Sequence, residues 1–119
     1  MGEIIRTNQG VYVRPEEGEK VSSQGDLLEL VALCGEAGTD NLLLPRGSLA
    51  EDFFDLSTGL AGEIALKLST YRVRTAILVN LLGVRSQRFK EWAWECNRGH
   101  EIHFCADEED AVQWLLDRG

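Results

Sequence analysis

The sequence is poor in the residues that carry most side-chain chemistry. It has two histidines, His100 and His103, so a Ser, Thr or Cys nucleophile has few bases to draw on. On the strand-like run where they fall, a spacing of three sends the two rings to opposite faces and spoils them as a zinc pair. His103 and Cys105 are two apart and share a face, which allows a thiol–imidazole pair, but no third residue that would orient the imidazole is in view. Cysteine is sparse too. Cys34, Cys96 and Cys105 are odd in number, far apart and set in apolar runs, the pattern of reduced, buried thiols. Gly59 and Gly62 form a Gly-x-x-Gly without the lysine of a phosphate loop or the longer dinucleotide fingerprint. No catalytic residue, metal site or cofactor is expected.

Excess basic charge is also missing. With 12 bases against 20 acids the formal net charge is −8, which leaves no surplus of Lys and Arg to displace counterions, so neither nucleic acid nor an anionic membrane is an expected partner. A basic protein partner is compatible with this charge, as is the simpler reading that it keeps the domain soluble. No window approaches 18 uninterrupted apolar residues, and MGEIIRTNQG has no basic stretch followed by an apolar one. Arg6 stands where a myristoylation signal has Ser or Thr. A cytoplasmic protein is the expectation.

What is present suits one compact domain over residues 1–119, 44% of them hydrophobic. Glu3 to Thr7 and Val11 to Arg14 are β-prone runs around Asn8-Gln9-Gly10, whose Asn and Gly tolerate positive φ, and they predict a hairpin. Ser23 and Asp26 open a helix whose inner face is Leu27, Leu30, Val31 and Cys34, ended by Gly35 and Gly38. Asn41 to Leu44, stopped by Pro45, is continuously apolar, as strands covered on both faces are. Val73 to Val79 is the strongest strand and the expected centre of the sheet. Ser86 is placed to cap a helix that turns Phe89, Trp92, Ala93 and Cys96 inward and leaves Trp94 outside. Glu101 to Cys105 closes the sheet, and Asp107 caps a last helix with Val112, Leu115 and Leu116 inward. The acidic run Asp107–Asp110 favours the positive end of that helix more simply than it makes a metal site. The order is ββαβαβαβα: an α/β layered domain, mostly parallel, with an N-terminal β-hairpin.

The most distinctive stretch is Phe53 to Leu68, FFDLSTGLAGEIALKL. With a helix starting near Ser57, residues Leu60, Ala61, Ile64, Leu68 and Tyr71 fall on one side. Gly59, Ala61, Gly62 and Ala65 are small, which suggests close approach of another backbone. Glu63 and Lys67 make an i,i+4 pair on the rim.

Phe53-Phe54-Asp55-Leu56-Ser57-Thr58-Gly59-Leu60-Ala61-Gly62-Glu63, with Tyr71, Ala76-Ile77 and Glu95-Cys96-Asn97-Arg98-Gly99, resembles the bacterial domain of unknown function 4180 family over nearly the whole chain. The family name implies no activity. Similar proteins carry Arg or Lys where this chain has Ser57, and a Gly-Asp-like turn where it has Asn80-Leu81-Leu82. The element order also resembles that of STAS domains, the sulfate-transporter and anti-sigma-factor-antagonist group. There a Ser-Ser-Gly-Leu-like turn starts the helix after the third strand, and its serine can be a phosphorylation switch for partner binding. Ser57-Thr58-Gly59-Leu60 sits at the matching place.

These resemblances imply a non-enzymatic regulatory protein-binding module whose expected partner is an unidentified protein, with a homodimer as the other expectation. Ser57, Thr58 and Gly59 form the candidate anion-binding or modification site. Phe53, Phe54, Asp55 and Trp94 are the candidate partner surface. The alternative is a small-molecule or anion-binding domain with a pocket near Phe53, Phe54 and Ser57. For Ser57 and Thr58 the plain structural reading, that they cap the helix, stands beside the functional one.

Overall fold

The hairpin forms as its sequence predicts, by a different device. In the computed structural model, which describes residues 2–117, β1 (Gly2–Thr7) and β2 (Gly10–Pro15) pair antiparallel around a two-residue turn at Asn8-Gln9. Asn8 does not use the positive φ it tolerates. Instead the Thr7 hydroxyl accepts from the Gln9 and Gly10 N–H groups at 3.1 Å each and donates to the Gly10 carbonyl at 2.9 Å. A side chain thereby supplies the hydrogen bonds that a left-handed turn would have made.

Then α1 (Gln24–Ala37), β3 (Asn41–Pro45), α2 (Leu60–Thr70), β4 (Arg74–Leu78), α3 (Gln87–Asn97), β5 (Ile102–Cys105) and α4 (Glu108–Leu116) follow in the expected order. Three helix starts are made by the residues the sequence marks. Ser23, Ser86 and Asp107 each accept from the backbone N–H three residues on, at 3.2, 3.1 and 2.9 Å. Gly38, at φ 70°, closes α1, while Gly35 lies inside the helix.

The sheet is mixed, with spatial order β1-β2-β3-β4-β5; the first pair is antiparallel and the rest are parallel. Its middle strand is therefore β3, not β4, the strand expected at the centre. From β2 onward every strand is laid beside its predecessor in the same direction. Right-handed crossovers then put all three connecting helices on one face. That face buries Leu42, Leu44, Ile77 and Phe104 under α1, α2 and α3, while α4, which has no further strand to reach, covers Leu43, Ala76 and Cys105 on the other. Leu42, Leu43 and Leu44 are all fully buried, as a strand covered on both faces requires.

Leu60 and Ile64, expected inside, are buried, and so are Ile77 and Phe104 on the strands, whereas Leu78 and the inward-turned Trp92 are only partly buried. Tyr71 is 53% exposed, because α2 ends at Thr70 and the left-handed Arg72 (φ 56°) turns the chain away. The helical period no longer applies there, and Val73 takes up the core position.

Candidate functional site

Phe53 and Phe54 sit side by side in the sequence but do different things. A short 3-10 turn over Glu51–Phe54 points Phe53 inward, where it is fully buried. Its ring lies edge-on to Phe54, Phe89 and Trp92 at 5.4, 5.7 and 6.4 Å. Phe53 is thus a core residue and lines no pocket. Phe54 is half-buried, and the Arg46 guanidinium lies over its ring at 4.2 Å.

The turn that follows differs from the expected helix start. A second 3-10 turn spans Leu56–Thr58, and α2 begins only at Leu60, with Gly59 (φ 82°) as its first flanking residue. Only glycine adopts that φ without strain. Ser57 therefore lies before the helix and does not cap it. Its N–H and its hydroxyl both donate to Asp55 Oδ1, at 3.0 and 2.6 Å. These two bonds hold the Asp55 carboxyl below its ordinary range, helped by Arg88. Thr58 Oγ1 donates to the carbonyls of Asp52 and Asp55 and accepts from Leu60 N–H at 3.3 Å, so it is Thr58 that reaches the helix start. The N–H an anion would use at Ser57 is occupied by a carboxylate.

Beside this turn is a cleft of about 410 Å³ lined by Arg46, Glu51, Phe54, Asp55 and the segment Gly83 to Ser86. It lies where β3 and β4 deliver their loops. Because those strands are parallel neighbours, the chain leaving Pro45 and the chain leaving Leu78 emerge together, and α/β domains place ligands at such carboxyl ends. Two arginines, Arg46 and Arg85, and two carboxylates, Glu51 and Asp55, line it together with the Phe54 ring. On the adjoining turn Leu82 is 90% exposed. Its backbone is fixed by Asn80 Oδ1, which accepts from Leu82 N–H at 3.1 Å, so this apolar side chain is presented on a built turn.

Sequence reasoning finds Phe54 and Asp55 but misses Arg46, Arg85 and Leu82. The signal that finds them is topological: the two loops belong together once β3 and β4 are parallel neighbours. Trp94, at 48% exposure, is outside as its helical position requires. It lies two turns along α3 from the cleft. The turn residues Ser57, Thr58 and Gly59 border the cleft through Asp55 but do not line it.

His103 and Cys105 do share the α4 face. Burial pushes the Cys105 thiol up to about 11, the opposite of nucleophile activation. Burial likewise raises Cys34 and Cys96 to about 11. The His103 ring stacks on Trp114 at 4.9 Å and 16°, and the Arg74 guanidinium lies over the same indole at 3.8 Å. Burial, then the Arg74 charge, lowers the His103 pKa from 6.5. The folded chain therefore binds fewer protons at His103 than the unfolded chain below that value, and stability falls as pH drops through 6.5 toward the lower folded pKa. Urea midpoints measured on either side of that window should show this slope, and His103→Gln should flatten it. An equal slope in the variant would assign the effect to other groups. Among the described residues no cluster of His, Cys, Asp and Glu could hold a metal ion, and no helix is long and apolar enough to cross a membrane.

A family model described as a domain of unknown function (DUF4180) matches residues 6–115, and the chain belongs to that family. No curated protein and no solved structure matches it.

Proposed function

We propose that this DUF4180 member is a regulatory binding module whose partner is a protein segment held at the carboxyl edge of the sheet. The observation that carries the proposal is Leu82, 90% exposed on a hydrogen-bonded turn beside a cleft of balanced charge. Leu82 beside the cleft offers an apolar anchor that a bound segment would desolvate together with the cleft wall. The two arginines and two carboxylates that line the cleft suit a segment that carries both signs along its backbone and side chains. One domain over residues 1–119, STAS-like in element order and working in a bacterial cytoplasm, is the setting this reading takes.

Asp55 links the cleft to a switch. It lines the cleft and holds Ser57, so phosphorylation of the exposed Ser57 hydroxyl would remove that donor and set about −1.5 to −2 charges beside a carboxylate. Repulsion would open the turn and reshape the cleft wall. A second reading, a small anion bound between Arg46 and Arg85, is favoured by the Arg46 guanidinium resting on Phe54, with no ion pair to it among the described residues.

A photo-crosslinking residue at position 82, compared with one at Leu66 on α2, which is also exposed, at 65%, tests the proposal in native cells. A discrete adduct from 82, absent from 66 and reduced by Arg46→Ala or Ser57→Asp, is the expected result. No adduct from 82, together with saturable phosphate or sulfate shifts at Arg46 and Arg85, would replace it by the small-anion reading.

A further inference from the structure

The two edges of the sheet are finished differently. At β5, only four residues long, the Asn97 side chain takes the place of a neighbouring strand: its Oδ1 accepts from Phe104 N–H at 2.7 Å and its Nδ2 donates to the Phe104 carbonyl at 3.3 Å. That edge is plugged, as natural sheets commonly arrange. At the other edge β1 has six residues and, among the described residues, no such plug.

Which groups β1 leaves open follows from its register. Gly2 stands opposite Pro15, which has no N–H, so that pair cannot exchange two hydrogen bonds. Alternation along an antiparallel ladder then makes Glu3–Arg14, Ile5–Tyr12 and Thr7–Gly10 the bonded pairs, and turns the N–H and C=O of Gly2, Ile4 and Arg6 outward. Among the described residues nothing bonds the outward groups of Ile4 and Arg6. Ile4 and Ile5 are both half-buried, one at the rim of each apolar layer, so both layers of the core end open at this edge.

We propose that a second copy of this chain completes the sheet by antiparallel pairing of β1 with β1 about a twofold axis at Ile4. With Ile4 opposite Ile4 and Gly2 opposite Arg6, every outward pair is a bonded one, and each copy's isoleucines extend the other's core. The charges select this occupant. At the Gly2 end, beyond Pro15, the turn carries Glu16, Glu17 and Glu19 and borders a cleft of about 370 Å³ also lined by Glu3 and by one base, Arg14; at the other end is the exposed Arg6. A twofold axis brings each Arg6 to the partner copy's acidic turn, which offsets the repulsion between two chains of net charge −8.

Sedimentation of the full chain tests this, with backbone hydrogen exchange as a second readout. The wild type should sediment as a dimer with the Ile4 and Arg6 amides protected. Arg6→Pro removes an outward N–H and leaves the hairpin ladder intact, so it should stay folded by circular dichroism, sediment as a monomer and exchange its Ile4 amide about tenfold faster or more. Arg6→Glu should also be monomeric, and adding Glu16→Arg and Glu17→Arg should restore the dimer. A monomeric wild type, or a dimer whose Ile4 and Arg6 amides exchange freely or that survives Arg6→Pro, would overturn the proposal.

Discussion

Phe89→Ala should lower the free energy of unfolding by about 3–5 kcal/mol, read as a fall in the urea midpoint at unchanged slope. Phe89 is fully buried and lies at the middle of the aromatic cluster: Phe53, Phe54, Trp92 and Phe104 all surround its ring at 5.3 to 5.7 Å. Removing it forfeits the burial of a large apolar side chain and leaves a cavity whose walls are other rings. Rings held by the backbone of three different elements cannot all collapse inward, so the cost should lie at the upper end for such substitutions. Phe89→Leu keeps most of the apolar volume and should fall between the two. Because Phe54 forms a wall of the cleft and packs on Phe89, Phe89→Ala should also weaken crosslinking at position 82. A wild-type midpoint would show that the cluster does not depend on its central ring.

Much of the fold can be read from local chemistry because single residues specify it. Ser23, Ser86 and Asp107 cap helices through bonds to the third residue on, and a polar side chain at a helix start has few other uses as favourable. The continuous run Leu42–Leu44 announces burial on both faces for the same reason. What is not legible depends on where distant segments meet. Nothing in the apolar run Val73 to Val79 reveals that β3 takes the middle of the sheet; that follows from the direction in which successive crossovers march. Asn97 is another case. It reads as part of a helix stop, yet it closes the edge of β5, a role that exists only after α3 and β5 have packed.

The candidate site was half legible for a related reason. Asp55, Ser57 and Thr58 form a self-contained turn, so the turn shows in the sequence, but a purpose for it does not. The hydroxyls that look like caps belong to a 3-10 turn because Asp55 captures Ser57 two residues away, a local bond that competes with the helix. Arg46, Arg85 and Leu82 are each unremarkable in sequence. They acquire meaning from the parallel pairing of β3 with β4, which no single window contains.

The small residues of α2 provide a contrast within one helix. Ile64→Ala should cost about 2–5 kcal/mol, since Ile64 is 1% exposed under the helix-covered face of the sheet. Gly62, two residues earlier, should behave in the opposite sense. The sequence suggests that it admits another backbone, but a Cβ built there meets nothing within 4 Å and its φ is not positive. Gly62→Ala should therefore stabilise the protein by about 0.4–1 kcal/mol, chiefly by restricting the unfolded chain. Gly59 faces equally open space but sits at φ 82°, so Gly59→Ala should destabilise by about 1–2 kcal/mol through backbone strain. Three urea titrations thus separate packing, chain entropy and conformation in one short segment. Should Gly62→Ala destabilise as much as Gly59→Ala, a neighbouring segment must approach α2 closely in solution, and the small-residue face would be a contact surface after all.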